Sequence, residues 1–157
     1  MSRNTTVLTG VFLILLIGLG AVYYSTYKQL DEAATSMIEE AELTSTKIET
    51  LSLIPFSANI KIVYSIKNTL DIAIKINIDA DLNYGTKTIS HVTANDQLIQ
   101  PSDTSEIALI TSIDSSAFQA LSQGTGQPWS TKGTMTITGY ALGIIPVTIT
   151  RTGDLFK

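Results

Sequence analysis

The chain opens with a long apolar segment, Val7 to Ser25, that contains no charged residue. As an α-helix its nineteen residues would span about 28 Å at roughly 1.5 Å per residue, close to the ~30 Å hydrocarbon core of a bilayer. Arg3 precedes the segment, whereas Asp31 and Glu32 follow it, and positive residues favour the cytoplasmic side of a membrane. The pattern predicts a cytoplasmic tail over residues 1–6 and a transmembrane helix over residues 7–25, with the rest of the chain extracytoplasmic.

A cleaved signal peptide is the alternative interpretation of this segment, because Gly18-Leu19-Gly20 has the small-residue pattern of a weak cleavage site. Two features favour an uncleaved anchor. The apolar run is long for the core of a signal peptide, and Tyr23, Tyr24 and Tyr27 follow it as in the aromatic belt of a membrane interface. We therefore expect a single-pass protein of the cell membrane that contacts the lipid bilayer through residues 7–25.

Residues 26–42 have the composition of a helical neck. Good helix formers dominate them, and neither Gly nor Pro occurs between Ala21 and Ile54. An apolar stripe with alternating intervals of four and three residues runs along this neck, and two interpretations of it are open. The stripe could form a short coiled coil, which would lead to self-association or to contact with another protein, or it could pack against the lipid surface or the domain that follows. Within the neck the stripe consists of Leu30, Ala34, Met37 and Ala41, and the same spacing continues through Thr44, Ile48 and Leu51.

Beyond the neck, over residues 43–157, the spacing of apolar residues becomes alternate. In the segments 60–66 and 72–84 one face is apolar and the other polar, as in half-buried antiparallel strands. A helical pattern over Asp114–Leu121, with Asp or Ser as its N-cap, interrupts the strands. The sequence thus predicts an all-β sandwich of about seven strands with one short helix. The strand segments are 47–53, 60–67, 72–84, 87–92, 105–113, 135–141 and 145–149, and the segment 97–100 leads to Pro101.

The stretch from about Ala41 to Leu155 resembles a known family, the late-embryogenesis-abundant "water stress and hypersensitive response" (WHy) domain. Three segments carry the resemblance: IKIVYSIKNTLDIAIKINIDADLNYG, LIQPSDTSEIALITSIDSSAFQAL and MTITGYALGIIPVTITRTGDL. One departure is Asn68-Thr69, where the family has Asn-Pro. The resemblance implies an immunoglobulin- or fibronectin-III-like sandwich and a non-enzymatic role in stress tolerance or surface binding. It provides no catalytic residues to carry over.

Composition excludes several classes of function. The net charge of −4 and the pI of about 4.8 argue against nucleic-acid binding, which needs clustered Lys and Arg. The absence of Cys removes disulfides, cysteine nucleophiles and thiolate metal sites. Charged residues make up 15% of the chain, below the roughly 25% of soluble domains, which agrees with a membrane segment. The extracytoplasmic part is net negative, so we expect anionic head groups to repel it.

Few residues suggest chemistry. His91 is the only imidazole, and no Ser/His/Asp spacing accompanies it. Asp79 and Asp81 share a strand face and could hold a hard cation, but no third acid is near, so we interpret them as a solvated polar face. Gly124-Thr125-Gly126 lacks the Lys and the third Gly of a phosphate loop. Trp129 is either an exposed binding aromatic or a loop residue that folds onto the core. We predict no catalytic residue, cofactor or metal, and find no evident small-molecule substrate or binding residue.

Three functions are compatible with these sequence features. The first is a non-enzymatic, membrane-anchored extracytoplasmic module with a protective role in desiccation or osmotic stress, or a binding role. The second is a structural subunit of a cell-surface filament or envelope layer, because archaeal-type pilins also place an apolar helix before a β domain. The third is an accessory subunit of a membrane complex. An enzyme is disfavoured, because neither a nucleophile–base pair nor a metal cluster is visible.

Overall fold

The structure, a computed structural model, describes residues 3–53, 56–123 and 126–156. Met1 and Ser2 of the expected tail, and Gly124-Thr125 of the glycine-rich loop, lie outside the described residues. Long strands dominate the described part, together with one long and one short helix. The elements are α1 (Arg3–Glu39), β1 (Glu42–Leu53), β2 (Phe56–Lys67), β3 (Ile74–Tyr84), β4 (Lys87–Ile99), β5 (Thr104–Ile113), α2 (Ser115–Gln123), β6 (Trp129–Ala141) and β7 (Ile145–Phe156).

The strands form two antiparallel sheets, one of three strands in the order β1-β2-β5 and one of four in the order β4-β3-β6-β7. Alternate residues of each inner strand point into the space between the sheets. In β3, for example, Ile74, Ile76 and Ile78 are buried, whereas Asp79 and Asp81, which follow Ile78 on the opposite face, are exposed. The structure therefore confirms the predicted β-sandwich with one short helix and a long apolar amino-terminal helix.

The second half of α1 belongs to the core of the sandwich. Leu30, Ala34 and Met37 are fully buried, and they lie against β6 and β7. The four-stranded sheet is wider than its partner, and α1 covers the part of its inner face that remains. Of the interpretations open for the apolar stripe, the structure shows packing against the domain, so these three side chains are unavailable to a second copy in this fold.

A close approach and an ion pair hold α1 in place. Gly139 of β6 lies under Leu30, and a Cβ atom at this glycine would be 3.1 Å from Leu30 Cδ2. Further along α1, Arg151 Nη2 lies 2.7 Å from Asp31 Oδ1. The same nitrogen donates to the Asp31 carbonyl oxygen at 3.2 Å and to Thr35 Oγ1 at 3.3 Å. These contacts fix the position of α1 against β6 through Gly139 and against β7 through Arg151.

The structure differs from the prediction within β4. The predicted strand 87–92 continues through most of the segment 97–100 to Ile99, with a bulge between Ala94 and Gln97. Asp96 has a φ of 52° at this bulge, and its backbone N–H donates to Asn77 Oδ1 at 2.8 Å. An extra residue in one strand breaks the local alternation of side chains but does not end the pairing with the neighbouring strand. For this reason the alternation in the sequence suggests that the strand ends where it in fact continues.

Candidate functional site

The first half of α1 exposes its apolar side chains. Phe12, Ile14 and Ile17 are 60%, 71% and 71% exposed. Within the described residues, one helix is long and apolar enough to cross a bilayer: Thr9–Glu39, whose most apolar window of 18 residues has a mean hydropathy of 1.7 and is only 6% buried. That exposure separates it from the core helix of a soluble protein, whereas a signal sequence would show the same length and composition.

The exposed and buried halves of α1 meet at a short junction. Val22 packs partly against the core, and Thr26 is buried, with its hydroxyl donating to the Val22 carbonyl at 3.0 Å. On the other side of the helix Tyr23, Tyr24 and Tyr27 remain exposed. The sandwich therefore reaches along the helix to about the point where the uncharged run ends, and the three tyrosines lie at that level.

An open apolar cleft of about 320 Å³ lies between α2, the middle of β1, the end of β3 and the start of β6. The rings of Tyr84 and Trp129 pack beside each other there, with centroids 4.9 Å apart, and the Gln127 backbone N–H donates to the Tyr84 hydroxyl at 3.2 Å. Trp129 is half buried, so it both packs on the core and borders the cleft. The lining residues are Thr46, Lys47, Ile48, Ile60, Tyr84, Phe118, Leu121, Ser122 and Trp129.

This cleft could hold a small apolar group beside a single cation, Lys47. Sequence reasoning identified Trp129 as a candidate but missed its partner, because Tyr84 and Trp129 face each other only through the pairing of β3 with β6. Asp114 caps the amino terminus of α2 and accepts hydrogen bonds from the Ala117 backbone N–H at 2.9 Å and from Ser116 Oγ at 2.8 Å. These hydrogen bonds, first that from Ala117, lower the pKa of the exposed Asp114 carboxyl.

The register of β3 and β4 brings His91 between the two aspartates considered in the sequence. Its Nε2 lies 3.2 Å from Asp79 Oδ1, and its Nδ1 lies 3.1 Å from Asp81 Oδ1. Carboxylates only accept hydrogen bonds, so both contacts are hydrogen bonds when the ring is protonated. All three side chains are more than half exposed, where such pairs contribute about 0–1 kcal/mol. Among the described residues no three His, Cys, Asp or Glu side chains are grouped to hold a metal ion.

Two polar side chains lie deep inside the sandwich. Tyr64 is fully buried, with its ring 4.6 Å from that of Phe156 between centroids and its hydroxyl 3.2 Å from Thr131 Oγ1. Burial raises the pKa of Tyr64, and the contact with Thr131 lowers it by less. Asn68 is also fully buried and bonded to backbone groups of two loops. Both groups are satisfied within the protein and contribute to structure.

Comparison with known proteins leaves the family open. No family model and no curated protein matches the chain. A crystal structure of a protein from Archaeoglobus fulgidus is similar at 11% identity and a TM-score of 0.38, over 72% of this chain and 95% of that one. The solution structure of a candidate late embryogenesis abundant (LEA) protein is similar at 15% identity and a TM-score of 0.40, over 83% of this chain and 86% of that one. Neither likeness is close enough to assign a function.

Proposed function

We propose that this chain is a single-pass membrane protein whose β-sandwich lies outside the cytoplasm and acts by non-covalent contact. The observation that carries the proposal is the division of α1. One continuous helix exposes apolar side chains along its first half and buries one face of its second half in the sandwich. Such a helix attaches the sandwich rigidly to the membrane or protein surface that contacts its exposed apolar half.

A bilayer is the cover that fits this half best. Moving one Leu, Ile or Phe side chain from water into an apolar environment contributes about 1.5–3 kcal/mol, and several such residues stand exposed on one uncharged run. Trp and Tyr are typical of membrane interfaces, and Tyr23, Tyr24 and Tyr27 lie at the end of this run. The acidic residues follow only after the tyrosines, which supports a cytoplasmic amino terminus.

A binding or protective role, rather than catalysis, is the second part of the proposal. His91 is the only imidazole, and among the described residues its ring contacts two carboxylates on an exposed sheet face, whereas the hydroxyls of Ser90 and Thr111 bond to its backbone carbonyl. The apolar cleft beside Trp129 offers a place for a non-covalent ligand. The resemblance of the sequence to the WHy domain supports a role in desiccation or osmotic stress, and loss of survival after drying in a deletion strain would test it.

Protease treatment of intact cells, with the mass of the membrane-bound chain, tests the anchor. We expect a full-length chain in the membrane fraction and digestion of the sandwich from outside. Leu15→Asp places a charge at the middle of the span, which costs roughly 2.5–3.5 kcal/mol, and should reduce membrane retention. Ser25→Asp, at the end of the span, is the matched control and should be retained.

Two results would contradict this proposal. A mature chain that starts near Ala21 would identify the segment as a signal sequence. Recovery of the full-length chain mainly in shed filaments would show that other copies, and not lipid, cover the exposed half of α1, and would favour the filament subunit.

A further inference from the structure

The turn between β6 and β7 lies at the end of the sandwich from which the exposed half of α1 emerges. Along β7, Arg151 contacts Asp31, and Leu155 lies beside Ile38, so β7 and α1 run in the same direction. The start of β7 and the end of β6 therefore lie near the amino-terminal part of the buried half, where Gly139 approaches Leu30.

The turn lies close to the level of the interfacial tyrosines. Leu142 is three residues beyond Gly139, and three strand residues advance about 10 Å. Along α1, about 10 Å corresponds to roughly seven residues, which leads from Leu30 back to Tyr23. The partial burial of Val22 against the core agrees with this level.

The turn presents large apolar side chains to the outside. Leu142 is 61% exposed. Ile144 is 77% exposed, which is more than any large apolar residue in the exposed half of α1 whose side chain the structure describes. No charged residue occurs between Tyr140 and Pro146. The net negative charge of the sandwich, which anionic head groups would repel, is therefore absent from this turn.

The conformation of Leu142 makes its identity unusual. The Ile144 backbone N–H donates to the Ala141 carbonyl at 3.2 Å, and the two residues between them, Leu142 and Gly143, have φ values of 53° and 72°. Positive φ at both positions favours Asn or Gly, whereas a bulky residue is strained there. Neither the turn geometry nor burial in the core explains a leucine at this position.

We propose that the β6–β7 turn inserts Leu142 and Ile144 into the lipid interface beside α1, as a second contact between the sandwich and the bilayer. The inference rests on the proposed membrane anchor. The occupant is lipid because the turn and the apolar run of α1 lie side by side at one end of the domain. Two contacts, the helix and the turn, would fix the tilt of the sandwich on the membrane.

Single-cysteine labelling tests this contact, because the chain has no Cys of its own. The full-length chain is placed in phosphatidylcholine vesicles that contain two quenchers, one lipid spin-labelled at the head group and one spin-labelled within the acyl chain, because residue 13 would lie deep in the hydrocarbon core. An environment-sensitive fluorophore is attached to Ile144→Cys, to Thr93→Cys on the exposed face of β4, or to Leu13→Cys within the apolar run. We expect blue-shifted, quenched emission at positions 144 and 13, and unquenched emission at position 93.

The outcomes separate this inference from the proposed anchor. Quenching at position 13 with none at position 144 would overturn the lipid contact and leave the anchor intact. No quenching at position 13 would overturn both. A blue shift at position 144 without quenching would indicate that another protein surface covers the turn, which also overturns the lipid contact.

Leu142→Asn provides a second variant that does not depend on labelling position 142. Asn suits positive φ, so this variant should unfold at a higher temperature than the parent. In combination with Ile144→Cys it should also lose a measurable part of the quenching. Raised stability with unchanged quenching would show that Leu142 makes no contact with lipid.

Discussion

Removal of the Asn68 side chain should destabilise the sandwich strongly, although the residue is small and lies in a loop. Asn68 Nδ2 donates to the Ile72 carbonyl at 2.9 Å and to the Gln100 carbonyl at 3.0 Å, and Asn68 Oδ1 accepts from the Leu70 N–H at 3.0 Å. Its own N–H donates to the Asp103 carbonyl at 2.8 Å. One buried amide therefore joins the β2–β3 connection to the β4–β5 connection.

The magnitude follows from three hydrogen bonds to backbone groups. Each contributes about 0.5–1.5 kcal/mol, so Asn68→Ala should lower the free energy of unfolding by about 3 kcal/mol. For a chain of this size that corresponds to a fall of roughly 6–12 °C in Tm. Asn68→Asp keeps the shape and the acceptor but places a carboxylate against two carbonyl oxygens, so it should be at least as destabilising at neutral pH.

Thermal unfolding of the detergent-solubilised full chain measures these differences. Circular dichroism reports the strands, and fluorescence of Trp129, the only tryptophan, reports the opposite end of the sandwich. Asn95→Ala is the matched control, because Asn95 is exposed on β4, and surface substitutions usually change stability by less than about 0.5 kcal/mol. If Asn68→Ala and Asn95→Ala unfold at the same temperature, the structural role assigned to the buried amide is wrong.

Three further predictions concern other buried or capping groups. Since burial raises the pKa of Tyr64, stability should be full below about pH 10 and fall above it; Tyr64→Phe should show a shallower alkaline fall in Tm, and an equal slope would contradict this. A Cβ at Gly133 would overlap the Ala80 backbone, so Gly133→Ala should abolish cooperative unfolding, whereas Gly18→Ala, with open space, should not. Asp114→Ala should lower Tm at pH 7, because the ionised carboxylate caps α2. The difference in Tm between parent and variant should shrink as the pH falls through the lowered pKa of Asp114. A difference in Tm that does not change with pH would contradict a cap that depends on ionised Asp114.

Much of the fold was predictable because its signals are local. Alternation of apolar and polar residues predicted the strands, and Asp114 was a recognisable N-cap before the short helix. The continuity of β4 across the bulge at Asp96 was not predicted. The sequence shows the break in alternation there, but not the pairing with β3 that continues on both sides of it. The cleft was only half predicted, since Trp129 was noticed without Tyr84.

Residue type and spacing are enough to predict the uncharged apolar run, the change from helical to strand periodicity and the absence of cysteine chemistry. The surface that covers Leu30, Ala34 and Met37, and the side chains that meet across strands, depend instead on how the whole chain packs. His91 meets Asp79 and Asp81 through strand register. Register and packing depend on the energy of the whole core, and such long-range choices leave no local pattern in the chain.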